Sequence, residues 1–138
     1  MRVVIGGAYN GKRKYVKEQL EKIPKEQIHF YEGIIPKDGH FTKDDVIVIG
    51  NFEKIIQNDI HLDELEIATK LFQEIQLLDK AANVVCICTD IGRGIVPIEK
   101  DNRKLRDTCG RLYQKLFAES ESVVRVWYGI PKLLKGKE

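Results

Sequence analysis

The chain has 138 residues, 32% of them charged, and lysine and arginine together exceed aspartate and glutamate by only two. This length predicts a single domain, residues 1–138, with one core that needs no disulfides or metal ions. Interspersed charges of both signs do not indicate a nucleic-acid or membrane partner, and no apolar run is long enough for a signal peptide or a membrane span. We therefore expect a cytoplasmic protein.

The first predicted strand, Arg2 to Ile5, leads into a segment that matches the G-x-x-x-x-G-K part of the P-loop signature. In such a loop, backbone N–H groups surround the phosphates of a nucleotide, and the lysine adds a positive charge. A glycine turn with a merely structural role is the alternative. The predicted nucleotide-binding residues of this loop are Gly6, Gly7, Ala8, Tyr9, Asn10, Gly11, Lys12 and Arg13.

Arg13 stands where the signature normally has a serine or threonine that ligates Mg²⁺. Arginine is a cation without an acceptor atom, so it cannot take that role. The sequence therefore predicts a site for ATP or GTP and leaves the part played by Mg²⁺ open.

Apolar residues at helical spacing predict a first helix from Gly11 that ends at Pro24. A strand from Gln27 to Tyr31 and a loop from Glu32 to Asp45 come next. Polar capping groups are expected near Asp59 and His61, at the start of a long helix. The next predicted elements are a strand at Val46 to Ile49, a short helix or turn at Phe52 to Asn58, and this long helix at Leu62 to Leu78. They are followed by a strand at Val84 to Cys88, a helix at Lys100 to Glu119 and a strand at Val123 to Tyr128.

This order of elements is typical of an α/β fold. It predicts a mainly parallel five-stranded sheet with helices on both faces, as in P-loop NTPases, followed by a basic tail. Cys86 and Cys88 are two residues apart in an apolar strand, and together with Cys109 they are expected to be buried, reduced thiols.

The loop after Cys88 contains Asp90 and two glycines, and it lies where open α/β sheets place ligands. On the next helix, Arg103 and Arg106 recur with other polar residues at three- and four-residue spacing. Their guanidinium groups can hold phosphates bidentately, with Asp107 to orient one of them. A surface network of ion pairs explains the same spacing equally well.

The remaining polar and aromatic residues give weaker signals. The three histidines lack metal-ligand spacing, and His40 is interpreted as a solvated turn residue, with an acid/base or nucleophilic role as the alternative. Trp127 and Tyr128 are expected to lie in the core and at its rim. We do not expect them to form a surface on which an aromatic ligand stacks.

The stretch from Thr89 to Gln114 resembles the bifunctional adenosylcobinamide kinase / adenosylcobinamide-phosphate guanylyltransferase family. It carries Gly92-Arg93-Gly94-Ile95-Val96-Pro97, Arg103, Arg106-Asp107, Gly110-Arg111 and Gln114. The opening glycine-rich loop and residues 129–135 are similar to the family's corresponding segments. The middle of the chain matches the family only in its pattern of strands and helices.

The resemblance implies a P-loop fold and a role in cobalamin assembly or salvage. The family phosphorylates the aminopropanol side chain of adenosylcobinamide and then transfers a guanylyl group through a covalent histidine. The resemblance also implies a symmetric homo-oligomer, a trimer, with active sites near subunit contacts. Carried over to this chain, the loop glycines, Asn10 and Lys12 hold phosphates, and Asp90 replaces a family glutamate that contacts metal or nucleotide.

Three departures concern the catalytic parts of the family pattern. Arg13 replaces the metal-ligating hydroxyl, Gly50 replaces an acid at the end of the third strand, and Pro36 lies where the family has its guanylylated histidine. Two hypotheses remain open. One is a reduced enzyme that retains kinase activity through Lys12 and Asp90 but lacks guanylyl transfer. The other is a catalytically inactive nucleotide- or anion-binding regulatory protein.

Overall fold

The computed structural model describes residues 1–8, 10–37, 39–90 and 100–137, without the side chain of residue 101. It is an α/β fold of the P-loop NTPase kind, built on a six-stranded sheet in the order β2-β3-β4-β1-β5-β6. The strands are β1 (Arg2–Gly6), β2 (Ile28–Glu32), β3 (Val46–Gly50), β4 (Asn83–Thr89), β5 (Ser122–Trp127) and β6 (Ile130–Lys135). The helices are α1 (Lys12–Gln19), α2 (Phe52–Asn58), α3 (Glu64–Ala81) and α4 (Lys100–Glu119).

The first five strands are parallel, and only β6 runs antiparallel to its neighbour β5. All five residues of β3 are buried, as the continuous apolar run predicted for an interior strand. Since parallel strands end at the same edge of a sheet, the loops that follow β1, β2, β3 and β4 share one edge. This edge is called the carboxyl edge below.

Helices cover both faces of the sheet, but unequally. One face packs against α2, α3 and α4 and holds the larger core, which includes Phe52, Ile75 and Leu112. The other face is covered by α1, whose Val16, together with the C-cap residue Leu20, packs in one cluster with strand residues such as Val48. No helix in the described part of the chain is long and apolar enough to cross a membrane.

The expected five strands become six because residues 130–135, interpreted as a basic tail, pair with β5 as an edge strand. Every residue of β6 is exposed, so the strand lacks the alternation of buried and exposed positions by which a strand is recognised. Pro131 is compatible with this place, since an edge strand has one side without ladder partners. The hairpin also leaves Trp127 and Tyr128 58% and 73% exposed, so the expectation of a core position for Trp127 is wrong.

Two helix ends differ from the sequence prediction. Helix α1 ends at Gln19 with Leu20 as its C-cap, before Pro24, and a 3-10 turn at Lys25–Gln27 then leads directly into β2. The N-cap of α3 is Asp63, which accepts a hydrogen bond from the backbone N–H of Leu65 at 3.0 Å. Helix α4 ends at Glu119, as predicted, and residues 91–99, which precede its first described residue Lys100, lie outside the described residues.

The three cysteines are buried, free thiols, as the sequence predicted. Burial raises the pKa of Cys86 to about 12 and also raises the pKa values of Cys88 and Cys109. In the unfolded chain these thiols ionise near their ordinary values, so above about pH 9 the unfolded state loses protons that the folded state keeps. This difference makes folding stability decrease as the pH rises.

We expect the Cys86→Ala variant to lose stability less steeply than the wild type between pH 9 and pH 11. Each buried thiol contributes a slope of about 1.4 kcal/mol per pH unit in this range. Urea unfolding at several pH values measures both slopes, and the constant cost of truncating Cys86 cancels when slopes are compared. Parallel pH profiles would contradict the prediction.

Candidate functional site

The carboxyl edge of the sheet collects most of the residues that the sequence singles out. The glycine-rich loop follows β1, Glu32 ends β2, Gly50 ends β3, and Asp90 follows β4. The β1 loop is joined to its neighbours by backbone hydrogen bonds. The N–H of Asp90 donates to the oxygen of Gly6 at 2.9 Å, and the N–H of Gly129 donates to the oxygen of Asn10 at 2.8 Å.

The loop enters α1 through Gly11, which has a φ of 89° in the left-handed region that favours glycine. As the N-cap, Gly11 provides no side chain to accept hydrogen bonds from the first turn of the helix. The first turn also contains no acidic residue and starts with Lys12, Arg13 and Lys14. Glu32 already pairs with Arg13, but Lys12 and Lys14 remain unfavourable charges at the positive end of the helix, and an anion bound there would offset them.

Lys12 is the buried cation of the loop, with 4% of its surface exposed. Its Nζ donates to the backbone oxygens of Gly6 at 3.1 Å and of Gly7 at 2.7 Å. Burial, and next the charge of Arg13, lower the pKa of Lys12. The ammonium group is thus held against the loop by neutral carbonyl groups, which are weaker partners than a phosphate oxygen would be.

Arg13 points along the carboxyl edge to Glu32, at the end of β2. Its Nε and Nη2 donate to the two carboxylate oxygens of Glu32 at 2.8 and 2.7 Å, a bidentate pair. A Cβ atom on Gly50 would lie 2.9 Å from both Arg13 Nη2 and Glu32 Oε2. The ion pair therefore covers the end of β3, where the family resemblance leads one to expect an acid.

A cleft of about 360 Å³ lies on the other side of the loop, between the loop, α4 and the β5–β6 hairpin. Its walls combine polar groups at Asp90 and Arg125 with apolar or aromatic side chains. The lining residues used below are Gly6, Asn10, Asp90, Phe117, Trp127 and Leu134. A mostly apolar cleft with a few polar groups beside a glycine-rich loop has the character of a small-molecule site.

The arginine-bearing helix α4 meets this region only in part. Arg106 lines a groove of about 490 Å³ with Asp90, and it forms an ion pair of 2.9 Å with the adjacent Asp107, which both interpretations of this helix allow. Arg103 is exposed and lines neither the cleft nor this groove. The structure thus brings Arg106 next to Asp90 and leaves Arg103 outside both depressions.

One acidic residue at this edge, Glu53, is not among the sequence-predicted site residues. It lies in the first turn of α2, three residues after Gly50, and its Oε1 is buried without a hydrogen-bond partner in the described part of the chain. Its charge influences the pKa values of Lys12, Cys88 and Tyr113. The sequence signal was ambiguous, because an acid in the first turn is common at helix starts.

Several predicted features lie outside the described residues. Tyr9 of the glycine-rich loop is one of them, and the glycine-containing segment from Ile91 to Pro97 is another. Pro36 is partly buried and His40 is exposed, both in the connection between β2 and β3. Within the described ranges, no group of three or more histidine, cysteine or acidic side chains is arranged to hold a metal ion.

A further cavity, of about 520 Å³, lies beneath α1 at the opposite edge of the sheet. It is lined by residues at strand starts, such as Arg2 and Ser122, and by Val85 and Leu20. Since ligands of open α/β sheets bind at the carboxyl ends of strands, the depressions beside the glycine-rich loop are the better candidates.

A family model described as cobinamide kinase / cobinamide phosphate guanyltransferase matches residues 34–134, almost three quarters of the chain. The chain belongs to this family. The match includes the middle of the chain, where the sequence patterns indicated only a similar order of elements, and it begins after the glycine-rich loop. A comparison with curated proteins gives no match.

Proposed function

We propose that this family member binds ATP or GTP, with the phosphates at residues 6–13 and the rest of the ligand along the carboxyl edge. The observation that carries the proposal is the first turn of α1. It has a glycine N-cap, no acid and the cations Lys12 and Lys14, which together favour an anion, while the charge of the intervening Arg13 is already paired with Glu32. Lys12 is the central group, because its buried Nζ faces the loop.

The neighbouring cleft supports a second ligand or the remainder of the nucleotide. Phe117, Trp127 and Leu134 offer apolar surface, while Asp90 and Arg125 offer polar contacts. As in the family, we propose that the second ligand is a cobinamide whose hydroxyl accepts the terminal phosphoryl group. In that reaction the new phosphate ester forms at the acceptor oxygen, and the nucleoside diphosphate leaves. Asp90 lines both the cleft and the groove, which supports a role for it in orienting this hydroxyl.

Phosphoryl transfer depends on positioning and on stabilising charge at the phosphates. Lys12 provides one positive charge beside the loop, and Arg106 offers another across the groove from Asp90. Guanylyl transfer is not part of the proposal, since Pro36 lies at the position expected for the family's histidine.

A second candidate function is nucleotide binding without turnover. The Arg13–Glu32 pair favours it, because the pair occupies the end of β3 and directs the guanidinium away from the loop. Such a protein would bind the same nucleotides and yield no phosphorylated product.

Equilibrium binding of ATP and GTP tests the common part of both candidates. Trp127 is the only tryptophan in the chain and lines the cleft, so its fluorescence is expected to change and saturate as nucleotide is added. Calorimetry provides an independent affinity. If neither nucleotide binds at millimolar concentration, the proposed function is wrong.

Incubation with labelled ATP or GTP, Mg²⁺ and adenosylcobinamide separates the two candidates. Phosphorylated cobinamide that disappears in the Lys12→Ala variant would support the kinase. Saturable nucleotide binding without any product would support the binding protein.

A further inference from the structure

The carboxylate of Glu53 is an unusual feature of the carboxyl edge. Its Oε1 is buried and has no hydrogen-bond partner in the described ranges, although a carboxylate oxygen withdrawn from water normally needs one. The left-handed backbone of Asn51, with a φ of 58°, turns the chain sharply from β3 into α2. This turn places Glu53 in the first turn of α2, three residues after the end of β3. Burial raises the pKa of Cys88 in β4, and the charge of Glu53 contributes to this increase.

An acid in the first turn of a helix is often explained by the helix dipole. That stabilisation is about 0.3–1 kcal/mol for an exposed group and does not require a buried oxygen. Asn51 already caps α2, because its side chain accepts from the backbone N–H of Lys54 at 3.4 Å. Helix stabilisation alone therefore does not account for the position of Glu53.

Two other carboxylates of this region already have cationic partners. Arg13 holds both oxygens of Glu32, and Arg106 holds Asp107. Within the part of the chain that the structure describes, Glu53 has no such ion pair. Burial and the charge of Arg13 lower the pKa of Lys12, and the charge of Glu53 has a smaller effect that raises the same pKa. Glu53 lies three residues after Gly50, against which Arg13 and Glu32 lie, so its carboxylate oxygen without a partner in the described ranges is near the residues proposed to bind the phosphates.

We propose that Glu53 is a ligand for a divalent cation, of the Mg²⁺ class, that binds together with the nucleotide phosphates. This inference rests on the proposed function. Glu53 takes over the part of the acid that is missing at Gly50, from a position one helical turn further along the chain. Arg13 and Glu32 occupy the end of β3 itself, so an acid for the cation has to come from another element.

The donors present fit such a cation. Mg²⁺ prefers oxygen ligands and is commonly held by one or two carboxylates together with substrate phosphates and water. A complete protein cage is therefore not required, in agreement with the lack of a three-residue metal group in the described part of the chain. When bound, the cation would offset phosphate charge.

Calorimetric titration of ATP and GTP, with Mg²⁺ or with EDTA, tests the inference without any measurement of activity. We expect Mg²⁺ to tighten nucleotide binding by about tenfold in the wild type, as a charge-assisted contact of about 1.4 kcal/mol would. In Glu53→Gln the effect should fall below about twofold, while the affinity in EDTA stays equal or improves. Glu26→Gln is the matched control, because it makes the same charge change at the opposite edge of the sheet, before β2.

Glu53→Asp provides a second variant that keeps the charge but shortens the side chain, and it should retain affinity in EDTA with a reduced Mg²⁺ effect. An unchanged Mg²⁺ effect in both folded variants would overturn the role of Glu53. Equal wild-type affinity in Mg²⁺ and EDTA would overturn the cation itself, while the proposed nucleotide site would stand. Absence of nucleotide binding in every condition would refute the proposed function and this inference with it.

Discussion

Lys12→Ala is expected to weaken binding of ATP or GTP by about 10- to 100-fold, the loss typical of one charge-assisted hydrogen bond of about 1.5–3 kcal/mol. Lys12 is the buried cation of the loop, and its Nζ already lies within hydrogen-bond distance of Gly6 and Gly7. Calorimetry measures the affinity of the variant. Wild-type affinity in Lys12→Ala would show that the phosphates bind elsewhere.

Lys14→Ala is the matched control for this prediction. Lys14 is an exposed cation in the same first turn of α1, so its removal changes the helix terminus by the same charge. We expect no more than a few-fold loss of affinity, because an exposed charge is screened by water and salt. A loss as large as that of Lys12→Ala would indicate that overall charge, and not the position of Lys12, determines binding.

The pH dependence of binding provides a further check on Lys12. Burial lowers the pKa of Lys12, so the ammonium of the free protein loses its proton at a lower pH than an ordinary lysine does. Nucleotide affinity should therefore begin to fall at a lower pH than the ordinary lysine pKa of about 10.4 would predict. The contribution of this group to folding stability has the opposite sign, because the unfolded state keeps the proton and stability rises with pH through the same range.

The main features of the fold could be predicted from the sequence because they depend on local patterns. The continuous apolar run of β3 and the helical spacing of α4 specify their own structure. Strand β6 could not be predicted in this way, since its residues are all exposed and its stability comes from pairing with β5. Although β5 is the preceding strand of the same hairpin, the exposed residues of β6 show no alternation that would indicate a strand.

The candidate site was predictable only as a set of separate residues. Arg13 and Gly50 stand out as two departures from the family pattern, and the structure shows that they belong to one arrangement with Glu32. Glu32 is 19 positions from Arg13, and no spacing rule connects them. Glu53 was missed for a similar reason, because its burial at the carboxyl edge depends on the turn at Asn51.

Gly6→Ala is expected to destabilise the protein by about 1–3 kcal/mol, the usual cost of forcing an atom into a packed interior. A Cβ atom on Gly6 would overlap the backbone oxygen of Val126 in β5. A backbone atom cannot move aside as a flexible side chain does, so β1 and β5 would have to separate at the start of the loop. Urea unfolding measures the loss.

Gly7→Ala is the control that isolates this steric effect. A Cβ atom on Gly7 would lie 3.0 Å from Asn10 Nδ2, the end of a side chain that can rotate away. We expect its stability to remain within about 1 kcal/mol of the wild type, since alanine also restricts the unfolded chain. Equal losses in the two variants would mean that the loop requires glycine for its backbone conformation and not for its contact with β5.

The contact at Gly6 also explains why the loop and the C-terminal hairpin should act as one unit. Gly6 packs under β5, Asn10 accepts a hydrogen bond from Gly129, and Trp127 lines the cleft beside both. A displacement of β5 by Gly6→Ala would therefore move a wall of the cleft together with the loop. We expect the variant to lose nucleotide affinity and to show an altered Trp127 emission spectrum before any ligand is added, whereas Gly7→Ala should keep the wild-type spectrum.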